Sequence, residues 1–249
     1  MKTLLFVGHP GHELLAYSFL KRYKPSVVFL TKGSGNDNKS RLNQSINLVN
    51  SLGLEVYFPF EPITDRQIYN LILSNSVDFF LNIKNELKNF ILDNNIEAVF
   101  GDALEGFNPS HDLCRYLTNS VVMSLQSKVL INNYDFLLDN VIKNITSEKR
   151  EDDIVLKLNK EKFEEKVLAC DNYPELKTEV DRFSAKYGRD LFSTEFFRKI
   201  NNPKQIKNWD TKHPYYEEFG KKRVIEGVYN QIISFENHMK PLAQILYKN

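Results

Sequence analysis

Cysteine, tryptophan, histidine and net charge are all scarce in this chain. Its 249 residues hold two cysteines, one tryptophan and five histidines, with a formal net charge of +1. Two cysteines, Cys114 and Cys170, build no disulfide framework, so the fold has to rest on its core. With 33 basic residues against 32 acidic ones, no global field draws the chain to nucleic acid or to an anionic membrane surface. No apolar run approaches the ~20 residues of a membrane-spanning helix. The chain opens directly on a strand-like run, with no charged n-region, apolar h-region and cleavage site ahead of it, so a cytoplasmic protein is expected.

What is present is a large apolar complement, 42% of residues, including 18 Phe and 12 Tyr. Strand-like runs occur at residues 3–7, 26–31, 54–60, 97–101 and 128–132. Between them lie helix-like stretches at 12–22, 41–52, 76–93 and 111–126. In 76–93 the apolar residues Val77, Phe80, Leu81, Ile83, Leu87, Phe90 and Ile91 recur close to the helical period. Such alternation predicts βαβ units: an α/β, Rossmann-like, mostly parallel sheet flanked by helices. After the charged, turn-prone residues 147–153 the pattern changes. Stretches at 160–169 and 174–187 are rich in Glu and Lys, and Val224, Val228, Ile232 and Phe235 predict a last helix over 221–239. The expected organisation is a single domain, with an α/β core at 1–146 and helical additions at 147–249 that cap the sheet.

Gly8-His9-Pro10-Gly11-His12-Glu13 follows the first strand directly. Two of the five histidines therefore sit where a strand ends and a helix begins, the edge at which open α/β sheets bind ligands. His111 lies in a second turn of similar character, Gly106-Phe107-Asn108-Pro109-Ser110-His111-Asp112. A Gly/Asn-rich loop, residues 31–38, falls at the same edge. Zinc takes imidazole nitrogen at ~2.0–2.1 Å, and catalytic sites use three protein ligands. His9, His12 and His111 form a candidate site of that kind. Histidines that merely hydrogen-bond around a strand end are an equally good reading of these residues alone.

The order of these motifs resembles the PIG-L/LmbE-type deacetylases, zinc hydrolases that remove N-acyl groups from sugar-containing substrates. The family's first motif, Ala-His-Pro-Asp-Asp-Glu, corresponds to Gly8 through Glu13. Its His-Pro-Asp-His turn corresponds to Asn108 through His111. Between them, Thr31-Lys32-Gly33, Arg41 and Leu52-Gly53 match the family in order and spacing, so the resemblance covers residues 1–130. It implies zinc ligation by His9 and His111, with His12 in place of the ligand aspartate. It also puts Gly11 where the family has its general-base aspartate, and Asn108 where a histidine helps stabilise the oxyanion. A site of three neutral imidazoles is more positive than a His/Asp/His site, which favours ionised water and offsets part of what Gly11 removes.

Replacement proton carriers near this edge are Asp112, Glu105 and Asp102. Arg41, Asn108 and Glu13 are the candidate substrate contacts, although Glu13 and Asp112 equally suit helix capping or support of the ligating rings. Arg115 reads as a charge on the helix surface and Cys114 as a small buried residue. The aromatic and charged run 213–229 offers Tyr215, Tyr216 and Arg223 to a sugar or to packing, and Tyr229 to packing. His213 and His238 are not expected as ligands.

The function that follows is a metal-dependent de-N-acylase, with zinc first and iron or another divalent metal as alternatives. Its substrate would be an N-acyl amino sugar, free or lipid- or nucleotide-linked, in glycan or surface-polysaccharide biosynthesis. A metal- and glycan-binding protein without deacetylase activity is the competing reading, favoured by Gly11 and Asn108. Oxidative metal chemistry and a metal-free sugar-nucleotide transferase stand further off.

Overall fold

The computed structural model describes residues 1–34, 39–138, 150–204, 206 and 214–248. Residues 35–38 of the Gly/Asn-rich loop, residues 147–149 and His213 lie outside the described residues. Among those described, six strands form one sheet in the order β2-β1-β3-β4-β6-β5. They are β1 (Thr3–Val7), β2 (Ser26–Phe29), β3 (Ala98–Asp102), β4 (Asn132–Phe136), β5 (Ile154–Lys157) and β6 (Thr194–Lys199). The first four are parallel, and β6 runs antiparallel to both β4 and β5. This is the expected α/β architecture.

All five residues of β1 are buried, as a strand covered on both faces requires. Leu4 and Phe6 join one core with Val28, Leu30 and Val99, while Leu5 and Val7 join another with Val27, Phe29 and Phe100. On the second face pack α1 (Tyr17–Tyr23) and α2 (Leu42–Ser51). On the first pack α3 (Asp65–Leu73), α4 (Val77–Asp93) and α5 (Pro109–Leu125), and also α9 (Lys240–Lys248), reached through α6 (Lys160–Asp171), α7 (Lys177–Tyr187) and α8 (Tyr215–Ile225). Because β1 lies between β2 and β3, the chain leaves β1 on one side and returns on the other. The resulting switch point lies at the carboxyl ends of β1 and β3, where both histidine motifs begin.

Several sequence expectations change. The expected strand at 54–60 is reduced to an isolated bridge, Val27 to Val56. It flanks β2, and Pro59 contributes no amide to a ladder. The strand expected at 128–132 starts four residues later, and Leu130 is 90% exposed. β4 escapes an apolar reading because Asn133 and Asp135 are buried against partners: Arg115 Nη1 donates to Asn133 at 2.8 Å, and Arg198 pairs with Asp135 at 2.8 Å. The expected helix at 221–239 is broken. α8 ends at Ile225, Gly227 takes φ 72°, and a π-turn at Phe235–Met239 leads into α9.

The second half is also more than helical, since it supplies β5 and β6. Lys166 of α6 and Glu195 of β6 form a buried pair at 2.8 Å. Glu195 also accepts the amides of Ser18 and Phe19 at the start of α1, both at 2.8 Å, and Lys166 donates to the Leu15 carbonyl at 2.8 Å. These bonds tie α6 and β6 to the segment that follows the first histidine motif.

Asp153, at the entry to β5, accepts amides from Arg150 at 2.9 Å and Lys199 at 2.8 Å. Burial alone would raise its carboxyl, but those amides and the Arg150 guanidinium outweigh it and hold it below the ordinary aspartate range. A carboxyl lowered on folding stabilises the fold above its unfolded value and loses that contribution as pH falls through the folded one. Asp153→Asn is expected to cost about 1–2 kcal/mol at pH 7. Urea melts of both proteins between pH 7 and 3 should show the gap narrowing below about pH 4.

Candidate functional site

The first motif leaves β1 at Gly8, whose amide donates to Asp102 Oδ2 across the switch point at 2.8 Å. A Cβ at residue 8 would itself lie 2.8 Å from that oxygen, so the approach requires glycine. Gly11 then turns the chain at φ 105°, and a short 3-10 turn, His12–Ala16, leads into α1. The second motif enters α5 more simply. The Asn108 side-chain oxygen accepts the Ser110 amide at 2.9 Å and Pro109 opens the helix, which sets His111 in its first turn.

These two entries bring the three histidines together. Ring centroids are 5.3 Å apart for His9 and His12, 4.9 Å for His9 and His111, and 4.5 Å for His12 and His111, each pair edge to face. His12 Nδ1 lies 3.0 Å from both oxygens of Asp102. A carboxylate only accepts, so Nδ1 carries the proton and Nε2 keeps its lone pair. His9 Nδ1 lies 2.6 Å from Thr31 Oγ1 and 3.2 Å from Asp65 Oδ1, and its buried Nε2 has no hydrogen-bond partner among the described residues.

Burial pushes the His12 imidazole below its ordinary value, with Asp102 opposing, and pushes His111 well below, with His12 and His9 adding to the effect. Neutral rings are the state a metal requires. Far-side nitrogens held by oxygen acceptors and an orphaned buried Nε2 are likewise features of ligating histidines. The chemistry of these donors is of the kind a divalent metal takes. Among the described residues no group of three His, Cys, Asp or Glu side chains is arranged so that it could hold a metal ion; the three rings pack edge to face against one another.

The rings open onto a cleft of about 340 Å³ that Arg41, Asp65 and Asn108 also line. The other sequence candidates frame this cleft without lining it. Asp102 is fully buried behind His12. Asp112 accepts the amides of Glu105 and Gly106 at 3.1 and 3.2 Å, and Glu105 accepts the Leu138 amide at 2.8 Å. Glu13 accepts the Gly11 amide at 2.6 Å and the Ser45 hydroxyl, which lies 2.9 Å from the Tyr173 hydroxyl. Burial raises Glu13 to about 7, with the Ser45 hydrogen bond opposing.

Arg115 is not a surface charge. It is 1% exposed, and its guanidinium holds the Asp102 carbonyl, the Asn133 side chain and the Tyr134 carbonyl, joining β3 to β4 behind the site. Cys114 is buried as expected.

Sequence reasoning missed Thr31 and Asp65 as partners of His9, and missed α3 altogether. The signal for α3 was present: Thr64 and Gln67 form a capping box, with the Gln67 amide donating to Thr64 Oγ1 at 3.2 Å and the Thr64 amide to Gln67 at 2.9 Å. That box sets Asp65 at the first position of the helix, beside His9. Sequence reasoning also missed the cleft wall made by Leu176 and α7. Of the aromatic run, Tyr215 stacks on the cleft residue Phe107 at 5.2 Å and 4°, while Tyr216 is buried in the core. Arg223 pairs with Glu226 at 2.7 Å, and His238 accepts the Ser234 amide at 3.0 Å.

No family model and no curated protein sequence matches the chain. Solved structures do match its fold. A deacetylase–bog complex from the biosynthesis pathway of teicoplanin aligns over 81% of this chain and all of its own, at a TM-score of 0.56 and 13% identity. The pseudoaglycone deacetylase Dbv21 covers 92% of this chain and 93% of its own, with a TM-score of 0.53 and 13% identity. The zinc-inhibited form of teicoplanin deacetylase Orf2 aligns at 0.50 and 10%, over 81% of this chain and all of its own. At such identities the likeness is one of architecture: this chain has the α/β fold on which those deacetylases are built.

Proposed function

We propose that this protein is a metal-dependent hydrolase of the de-N-acylase type. It acts in the cytoplasm on an N-acyl amino sugar or sugar conjugate, in glycan or surface-polysaccharide biosynthesis. The observation that carries this reading is the meeting of three imidazoles in one cleft, with His12 held through Nδ1 by Asp102 and His9 Nε2 without a partner among the described residues. The deacetylase architecture supports it, as does the motif order noted in the sequence.

His9, His12 and His111 would hold the metal, zinc in the first instance. When bound it supplies Lewis acidity at the acyl oxygen. Asp102, Thr31 and Asp65 orient the rings. Asp65, the carboxylate that lines the cleft beside His9, is placed to accept or return a proton. Asp112 and Glu105 shape the second turn, and Glu13 secures the Gly11 amide. Arg41 and Asn108, which line the cleft, would donate to substrate oxygens. The test is metal content of the purified chain beside His12→Ala, followed by acid release from N-acyl sugars. About one zinc per chain, lost in the variant, is expected; a wild-type chain that binds no divalent metal overturns the reading.

One observation favours the second reading, a binding protein without turnover. A Cβ at Gly11 would collide with Leu176 Cδ1, so an apolar side chain fills the space beside the position where the family carries its general base. A zinc-loaded chain that binds N-acyl sugars yet never releases the acid would establish that reading.

A further inference from the structure

A row of aromatic rings leads outward from the cleft. Phe107, which lines it, has its ring centroid 6.5 Å from that of His111. Tyr215 stacks on Phe107 at 5.2 Å and 4°, and Phe219 follows Tyr215 at 6.2 Å and 30°. The row is held from behind. The Tyr216 amide donates to the Gly106 carbonyl at 3.2 Å, which docks the start of α8 on the turn that carries Asn108 and His111, and the Tyr216 ring is buried in the core. Tyr215 and Phe219, at i and i+4, then fall on one helical face, and the Arg223 guanidinium lies 5.9 Å from the Phe219 ring centre. Even so, Tyr215 is 47% and Phe219 38% exposed. Neighbouring large rings left in water beside a cleft mark a surface that a ligand covers.

We infer that the ligand is an oligosaccharide, with its acylated residue at the histidines and the sugars next in the chain laid over Phe107, Tyr215 and Phe219. The inference rests on the reading that the histidine cleft is the substrate site, and it narrows the substrate from a single amino sugar to sugars already joined. A rigid aromatic ring offers a large apolar surface to the C–H face of a sugar. The exposed charges of the same helix are Glu218, Lys221, Lys222 and Glu226, so acids and bases balance. They supply partners for hydroxyls but no net field for a phosphate backbone or an anionic bilayer. An apolar protein partner would have to desolvate those charges along with the rings, a cost that a hydroxyl-rich ligand avoids. Each step along the row is of the size of one sugar ring, so each aromatic ring serves one residue of the ligand. A glycosyl-transfer reaction must then precede the reaction of this protein, since the glycosidic bonds are in place before the amide is cleaved.

The test is calorimetric binding of N-acetylglucosamine and its β-1,4-linked oligomers, from dimer to hexamer, to the full, zinc-supplemented chain. Affinity is expected to rise roughly three- to tenfold for each sugar that gains a ring to stack on, and to level off once the row is covered. Combining Tyr215→Ala with Phe219→Ala should lower the ratio of hexamer to monomer affinity roughly tenfold or more, while Phe219→Tyr should keep that ratio. Thermal melts report whether each variant folds, and the wild-type length series is a test that needs no variant. Equal affinity for monomer and hexamer, or no binding of any member, overturns the inference. A dimer in sedimentation that Phe219→Ala disperses would assign the rings to a second copy and overturn it as well. Length-dependent binding without acetate release leaves it standing while removing the hydrolase reading; acetate release from the monomer with no length dependence does the reverse.

Discussion

Asp102→Asn is expected to weaken metal binding at the proposed histidine site while leaving the protein folded. The asparagine carbonyl can still accept the Gly8 amide now held at 2.8 Å. Its NH2, however, replaces an acceptor with a donor opposite His12 Nδ1, where both carboxylate oxygens now lie at 3.0 Å. The retained carbonyl, 3.0 Å from Nδ1, can still accept, but the ring loses its second acceptor and the charge and meets a donor instead, so the tautomer that leaves Nε2, the nitrogen proposed to ligate, unprotonated is less favoured. Loss of such an orienting partner costs about 10–100-fold in metal affinity. A zinc titration against a competing chelator reads that loss directly. The thermal midpoint should fall by only a few degrees, since one hydrogen bond near ~1 kcal/mol is at stake. Unchanged zinc affinity in the folded variant would show that the Asp102 carboxylate does not support a ligating His12. Asp102→Ala is the harsher control: it leaves two buried donors without acceptors and should destabilise the fold by about 2–5 kcal/mol.

Gly11→Asp is the second large effect, and it divides by mechanism. The position has φ 105°, where any side chain is strained, at a cost of about 1–3 kcal/mol. The new Cβ also meets Leu176. The single substitution should therefore destabilise by about 2–5 kcal/mol, with overpacking adding to backbone strain. Leu176→Ala alone, at a half-buried site, should cost far less. Combining the two should recover the packing part and leave the backbone part, so the double-mutant cycle should show a coupling of about 1–3 kcal/mol. Additive losses would mean that Leu176 does not occupy that space. If the recovered double variant hydrolyses N-acyl sugars much faster than the wild type, the native site lacks a base; if it does not, another group already serves.

The sequence made the alternating α/β core legible because its central strands and longest helices bury apolar faces with a clear period. β1 was read to the residue, and α4 within one residue of its start. Two kinds of element were hidden. β4 and β6 are built around Asn133, Asp135, Glu195 and Arg198, whose burial depends on partners far along the chain, such as Arg115 and Lys166. The residues 54–60 read as a strand from composition, yet an edge position beside β2 gives them little to pair with. At the site, the three histidines were visible from their turns. Their partners were not: nothing local places Asp102 behind His12 or Thr31 beside His9, because the sheet register does so. Asp65 was within reach, since the Thr64–Gln67 capping box announces its helix.

The Lys166–Glu195 pair also bears on how the chain acquires its structure. The amides of Ser18 and Phe19 find their acceptors on a residue 177 and 176 positions further along. Contacts that span so much chain form late, because the intervening loop must first be closed. On the ribosome, β1 to β4 can assemble while the start of α1 still waits for Glu195 to emerge. The turn that carries His12 is therefore fixed among the last parts of the molecule, even though it lies among the first residues to be made.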